Sequence, residues 1–376
     1  MTILARRLRI VVIAPLRFPI RVPHSGGLES AVWSEVTALR ARGHDVRLVA
    51  VRGSDFVAEG GAFELPNLEW PRDSATSDVA YPLSYESTTV PALERALETI
   101  AAGPERFDVI SNHCLHPLPI RRAPTLGVPM VTTLHTPPDP GFVAAHAGAG
   151  SAGSIFLSVS EFTRREWARA GLHSEVLPNG VDSTAWPQGP GGDALVWFGR
   201  IVPEKAPHLA VEVARRLGRP IVLAGRIGDQ EYADEMLLPR LGTGATYTGP
   251  LVPAQLAELV GAGAATLSTP AWAEPFGLVA PEALMCGTPV VSFAVGGVPE
   301  IAARSVGMEI VAPGDLDSMA ERADELIRRC DADPSFRTRI RHSATRGFSL
   351  DTRMAALESR FFEMVDSAGY ADGLTA

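Results

Sequence analysis

Two clusters in the second half of the chain hold the residues best suited to chemistry. One is the stretch Trp272 to Gly287 (WAEPFGLVAPEALMCG), with seven residues between Glu274 and Glu282. The other is Arg200 with Glu204 and Lys205 (GRIVPEKAP). Pro275 and Gly277 forbid a helix, and Pro281 is tolerated only in a first turn, so a helix is predicted to start near Leu278 or Val279. The first amides of such a helix lack partners within it and carry the positive end of its dipole. Placed beside the carboxyl end of a strand, they form an anion site. Glu274 before the turn and Glu282 in the first turn can accept hydrogen bonds from hydroxyls. A ligand with a charged middle and hydroxylated ends, such as a nucleotide sugar, suits that arrangement. Arg200 and Lys205 would neutralise the charge that builds as a sugar–phosphate bond breaks. No aspartate-rich metal motif is present, so these cations are expected to do the work of a divalent ion. Lys205 is the only lysine among 34 basic residues. A chain that uses arginine everywhere else keeps a lysine where a compact, movable point charge is needed. The plainer account of Arg200 and Lys205 is a surface salt bridge with Glu204 or a neighbour.

The elements that must position these residues alternate strand and helix twice over. Arg9 to Ala14 is a continuous apolar run, the form of a strand covered on both faces. It leads through Ser25, Gly26, Gly27, Leu28 and Glu29 into a helix with Leu28, Ala31, Val32, Glu35, Val36 and Leu39 at helical spacing. Strands are predicted at Val46 to Val51, Phe107 to Ser111, Pro129 to Leu134, Ile155 to Ser160 and Glu175 to Leu177. His113 and His116 follow the run that ends at Ser111 and His135 the run that ends at Leu134, at strand ends where open parallel sheets place ligands. His135 is the best placed; structural roles are expected for His113 and His116. Residues 53–88 mix aromatics, prolines and acids without a readable order. Pro137 to Gly153, rich in Pro, Gly and Ala, reads as a mobile loop, and Gln188 to Asp193 as a linker. A second alternation starts at Ala194 to Gly199, with later strands at Pro220 to Ala224, Ala245 to Thr248, Ala264 to Pro270, Pro289 to Phe293 and Glu309 to Val311. Helices are predicted from about Pro207, Asp229, Pro253, Asp315, Pro334 and Asp351. The pattern implies an α/β chain with two parallel sheets. No G-x-G-x-x-G follows the first strand, which argues against a nicotinamide enzyme.

Bulk properties narrow the class. The 376 residues suit two domains. With 34 basic and 43 acidic residues the net charge is −9, which disfavours nucleic acid as a partner. Cys114, Cys286 and Cys330 have no metal or disulfide spacing, so a reduced, cytoplasmic setting is expected. The opening MTILARRLRIVVIAPL imitates a signal peptide but is read as a first strand.

The GG-x-E segment at Gly26 to Glu29, the strand-end TLH at His135, the PNGVD turn, the GR…EK loop and EPFGLVAPE together resemble the retaining family 4 glycosyltransferases of the GT-B fold. The resemblance covers nearly the whole length. It implies two Rossmann-like domains facing across a cleft. Residues 1–185, completed by a helix at about 351–376, would take the acceptor, and residues 186–350 the nucleotide-sugar donor. It implies that Glu282 binds the ribose hydroxyls, and that Glu274 with the amides of Phe276, Gly277 and Leu278 holds the donor sugar. Arg200 and Lys205 would hold the diphosphate, with the Val279 amide, Gly26 and Gly27 nearby, and His135 would sit at the reacting sugar. No metal and no cofactor are required. The expected reaction moves a hexose of glucose, N-acetylglucosamine or mannose type, with a UDP-sugar favoured as donor, to a hydroxyl on a small molecule or glycan. The alternatives are a nucleotide-sugar epimerase of the same fold and a membrane-surface enzyme with a lipid acceptor. The latter would use cations such as Arg121, Arg122, Arg164 and Arg165. Two departures stand out: EKA at Lys205–Ala206 where the family has EKG, and SNHCLH in place of the family's more usual pattern.

Overall fold

The computed structural model describes residues 6–69, 81–103, 106–150 and 153–374. The chain divides into two compact units. One comprises the residues up to Pro178 together with the helix from Asp351 onward, and the other is Asn179–Leu350.

In the first unit the order is β1 Arg9–Ile13, α1 Gly27–Ala41, β2 Asp45–Val51, β3 Glu64–Leu65, α2 Val90–Ala102, β4 Val109–Asn112, α3 Leu118–Arg122, β5 Met130–Leu134, α4 Pro140–Ala149, β6 Ile155–Ser158, α5 Glu161–Arg169 and β7 Glu175–Val176. The sheet runs β3-β2-β1-β4-β5-β6-β7 and every pairing is parallel. β4 and β5 are buried along their whole length, as the unbroken apolar runs require when helices cover both faces. The core between β1, β2, β4 and α2 gathers Val11, Ile13, Val49, Leu93, Leu97 and Ile110.

The second unit contains β8 Leu195–Phe198, α6 Pro207–Leu217, β9 Ile221–Ala224, α7 Gln230–Tyr232, β10 Ala245–Tyr247, α8 Pro253–Gly261, β11 Thr266–Ser268, α9 Val279–Met285, β12 Val290–Phe293, α10 Val298–Ala302, β13 Met308–Val311, α11 Leu316–Ala332 and α12 Ser335–Phe348. Its sheet order is β10-β9-β8-β11-β12-β13, again all parallel. α13, Leu350–Leu374, closes the chain.

Both sheets therefore reverse direction of winding beside their first strand, between β1 and β4 and between β8 and β11. Such a switch point splays the two following loops apart and opens a crevice at the strands' carboxyl ends.

Three expectations need correction. Pro137 to Gly153 is not a loop: α4 occupies most of it, with Asp139 capping the Phe142 amide at 3.0 Å. Pro140 fits the first turn, and the alanines that follow are the strongest helix formers. The helix expected from Asp229 to Leu241 is broken into α7, a wide turn at Ala233–Leu237 and a tight turn at Leu238–Arg240. Pro239 cannot continue a helix because it lacks the amide and crowds the preceding turn. The unreadable region at 53–88 supplies the edge strand β3 and a wide turn at Tyr85–Thr89 that runs into α2. Residues 70–80 of it lie outside the described residues.

Candidate active site

In the second unit, the loops after β8, β11 and β12 are stitched together by their backbones. The Thr269 hydroxyl, one residue past β11, donates to the Lys205 and Ala206 carbonyls at 2.9 and 3.0 Å. That hydroxyl accepts in turn from the Trp197 indole at 3.1 Å. The Ala271 amide donates to the Glu204 carbonyl at 2.8 Å. From the other side the Gly297 amide donates to the Glu274 carbonyl at 2.8 Å. Gly296 makes that approach possible, since a Cβ there would lie 2.0 Å from the Glu274 carbonyl oxygen.

This stitching brings Lys205 and Glu274 together from opposite sides of the switch point. The ammonium forms an ion pair with Glu274 Oε1, and the Trp272 indole donates to the same oxygen at 3.0 Å. Among the described residues Oε2 takes no hydrogen bond. The side chains are 20% and 8% exposed, so the pair lies in a recess, with Gly277, Val279, Ser268 and Val298 in its walls. The ion partner of Lys205 is thus Glu274 and not the neighbouring Glu204. Arg200 lies two residues past β8, partly buried, on the loop that carries Lys205.

The helix expected near Leu278 or Val279 is α9, with Leu278 at its N-cap and no side-chain cap. Gly277 holds φ at +98°, a backbone that L side chains resist. Phe276 turns its ring inward, edge-on to Phe348 with centroids 6.2 Å apart. Glu282 sits in the first turn of α9. The residue is partly buried. Burial pushes the carboxyl up to about 8, against the opposing pull of Lys205.

In the first unit, Gly26 is the N-cap of α1, extended and without a side-chain cap, and Gly27 is that helix's first residue. His135 follows β5 and its Nε2 lies 2.9 Å from His113 Nδ1. His113, just past β4, turns its Nε2 to Glu35 Oε1 at 2.9 Å, and the Ser111 hydroxyl donates to that same oxygen at 2.6 Å. The Arg353 guanidinium of α13 lies 3.7 Å from Glu35 Oε2. Arg353 also donates to the Leu177 and Pro178 carbonyls at 2.7 and 2.8 Å. Burial would raise the Glu35 carboxyl, yet His113, Arg353 and Ser111 together bring it to about 2. Burial pushes His135 well below its ordinary value, and the positive charge on its neighbours adds to that.

Thr269, Trp272, Glu35 and Arg353 were not among the expected site residues. One signal for Glu35 was available: an acid at a core-facing position of α1, between Val32 and Val36. Two of the four cations considered for a membrane-surface role are engaged with acids of their own unit: Arg122 with Glu94, and Arg164 with Glu161.

Residues 25–185 match the family model described as Glycosyltransferase Family 4, and residues 187–345 match the one described as Glycosyl transferases group 1. This chain belongs to glycosyltransferase family 4. Among curated relatives of this glycosyltransferase, the D-inositol 3-phosphate glycosyltransferase of Mycobacterium tuberculosis (strain ATCC 25618 / H37Rv) is 36% identical over 174 residues. That match takes in 43% of this chain and 35% of the relative, so it spans about a third of the relative's length. Sucrose-phosphate synthase from Thermosynechococcus elongatus superposes with a TM-score of 0.74 at 18% identity, covering 96% of this chain and all of that one. Anabaena HepE, solved with UDP and glucose, gives 0.69 at 19% identity over 94% and 99% of the two chains. The fold of this family 4 glycosyltransferase is GT-B, two parallel-sheet α/β units. Among its described residues no helix is long and apolar enough to cross a membrane.

Proposed function

We propose that this protein transfers a hexosyl group of glucose, N-acetylglucosamine or mannose type from a nucleoside-diphosphate sugar to a hydroxyl of a small molecule or glycan. UDP is the favoured nucleotide; HepE, of the same fold, has been solved with UDP-glucose. The observation that carries the reading is the Lys205–Glu274 pair, recessed at the second sheet's switch point beside the uncapped start of α9.

Lys205 and Arg200 take the diphosphate, close to the Val279 amide and with Gly26 and Gly27 as further backbone donors. Glu274 is the anion with which Lys205 pairs ahead of the diphosphate. When the diphosphate arrives, the ammonium has three donors to share between the two. Glu274, with Oε2 open, and the amides of Phe276, Gly277 and Leu278 take the sugar hydroxyls. Glu282 takes the ribose, and His135 serves the reacting sugar. Resident cations placed where charge develops supply leaving-group stabilisation, so the reaction is metal-independent. Among the described residues that line the recess Glu274 is the one carboxylate, and retention of configuration follows from a same-face displacement. In it the leaving phosphate takes the acceptor's proton. The first unit with α13 takes the acceptor and the second the donor. The reaction is cytoplasmic and uses no nucleic acid, and a soluble acceptor is favoured over one at a membrane surface.

The test is a panel of UDP-glucose, UDP-N-acetylglucosamine and GDP-mannose in thermal denaturation, since a ligand that binds the folded state raises its midpoint. A UDP-sugar should raise the midpoint of the wild type and leave Lys205→Ala and Glu282→Ala unmoved. Equal shifts in all three proteins would place the nucleotide elsewhere.

A further inference from the structure

We propose that Trp272 is a positioning residue for the donor: its indole N–H holds the Glu274 carboxylate in place when the Lys205 ammonium moves onto the diphosphate. This rests on the reading that Lys205 takes the diphosphate and Glu274 the sugar.

Glu274 Oε1 has two donors, the Lys205 ammonium and the Trp272 indole, the latter at 3.0 Å. The two hold it differently. Lysine is a point charge on a flexible four-carbon stem, and it can turn its three N–H groups to another anion. Tryptophan has a single N–H on a rigid ring with only two side-chain torsions. The backbone restricts the indole and the carboxylate further. Trp272 and Glu274 are two residues apart, and the stretch that carries them is pinned on both sides. The Ala271 amide donates to the Glu204 carbonyl at 2.8 Å, and the Glu274 carbonyl accepts from the Gly297 amide at 2.8 Å. Neither bond uses a side chain, so neither is lost when a ligand draws the ammonium of Lys205 away.

A carboxylate held by the ammonium alone would have to follow it or give up its donor. With the indole still on Oε1, Glu274 keeps a charge-assisted hydrogen bond and its orientation. Oε2, which takes no hydrogen bond among the described residues, then stays the oxygen offered to a sugar hydroxyl. Trp272 acts in this way on the sugar end of the donor. The nucleotide end belongs to Lys205 and Arg200 and is indifferent to the indole N–H.

Titration calorimetry of the full chain with UDP, GDP, UDP-glucose, UDP-N-acetylglucosamine and GDP-mannose tests this. Trp272→Phe keeps an aromatic ring and removes the N–H. The variant should bind the sugar nucleotide that the wild type prefers about tenfold more weakly, the loss expected for one hydrogen bond to a charged group. Its affinity for the matching free nucleotide should stay within about twofold of wild type, since that ligand asks nothing of Glu274. A folded Trp272→Phe that binds the sugar nucleotide as tightly as wild type, or that loses free nucleotide to the same degree, overturns the positioning role. If the variant does not fold, a crystal structure of the wild type with that sugar nucleotide decides. The indole should still donate to Oε1, and an indole turned away from Glu274 overturns the inference. A wild type that binds none of these ligands removes the donor site itself and this inference with it. The wild-type titration alone shows that failure, so the two are told apart.

Discussion

The two units put a carboxylate against a cation in opposite ways. In the second, Lys205 and Glu274 meet in an open recess, on loops that follow neighbouring strands of one sheet. In the first, Glu35 and Arg353 are 2% and 7% exposed and are joined through His113 to His135. The Lys205–Glu274 pair can be prised apart by an incoming anion at modest cost, because water already reaches the ammonium. The Glu35–Arg353 pair is closed. Opening it would leave a buried ion without a partner, the expensive case for any ion pair. The pair offered to a ligand keeps its ammonium within reach of water, and the pair that ties α13 to α1 is sealed.

That contrast breaks if stability and turnover respond alike in the two units. The largest stability effect is expected at Glu35→Ala, which strands Arg353 and His113 in the interior. Breaking a buried pair in this way costs about 3–5 kcal/mol, read as a lowered midpoint in urea. Lys205→Ala should reverse the emphasis. Turnover of a UDP-sugar should fall by about 10²–10³-fold, as when one preorganised donor to a developing charge is removed. The loss of stability should be less than half that of Glu35→Ala. A Lys205→Ala protein as unstable as Glu35→Ala would make the recess a structural staple instead of a ligand site.

Glu282 sharpens the comparison through pH. In the unfolded chain its carboxyl ionises near roughly 4.3, whereas burial in the folded protein pushes it up to about 8. Between those values the folded protein keeps a proton that the unfolded chain has released. The group's contribution to stability is therefore full below the lower value and drains away as pH rises through the upper one. Glu35, held down at about 2, works in the opposite sense: its contribution is present above the unfolded value and is lost on acidification. Thermal midpoints of Glu282→Gln and wild type, measured from pH 5 to pH 9, should show the wild type losing ground to the variant as pH rises. A constant difference would mean that Glu282 is solvated.

How much could be read from sequence follows the same division. Lys205, Glu274 and Glu282 lie in two short contiguous motifs whose prolines and glycines dictate the local turns, so both the helix start and the strand-end placement were legible. The alternation of apolar runs and helical periods likewise gives two parallel sheets, because each run had to be covered on both faces. The Glu35–His113–His135–Arg353 chain was not legible as a unit. Its members are scattered over more than 300 residues, and only the packing of α1 and α13 in the first unit joins them. α4 was missed because alanine and glycine in one stretch read equally as loop or helix until Asp139 is seen to cap it.

The smallest effect belongs to the position where the motif departs from its family, EKA in place of EKG. Ala206 keeps the backbone that glycine would supply: φ is +44° and ψ +51°, the left-handed region, between the tight turn at Pro203–Lys205 and α6. An L residue there costs about 1–2 kcal/mol. The strain is held in place by the Thr269 hydroxyl on the Lys205 and Ala206 carbonyls. Ala206→Gly removes it, and the gain is set against a freer unfolded chain and the loss of one buried methyl. The balance should favour the variant by about 0.5–1 kcal/mol, visible as a rise of a few degrees in the thermal midpoint, with Lys205 still paired to Glu274 and turnover within about twofold of wild type. A lower midpoint would mean that the methyl packs well enough to outweigh the strain, and a large fall in turnover would mean that a stiff turn under Lys205 is part of how the ammonium is aimed.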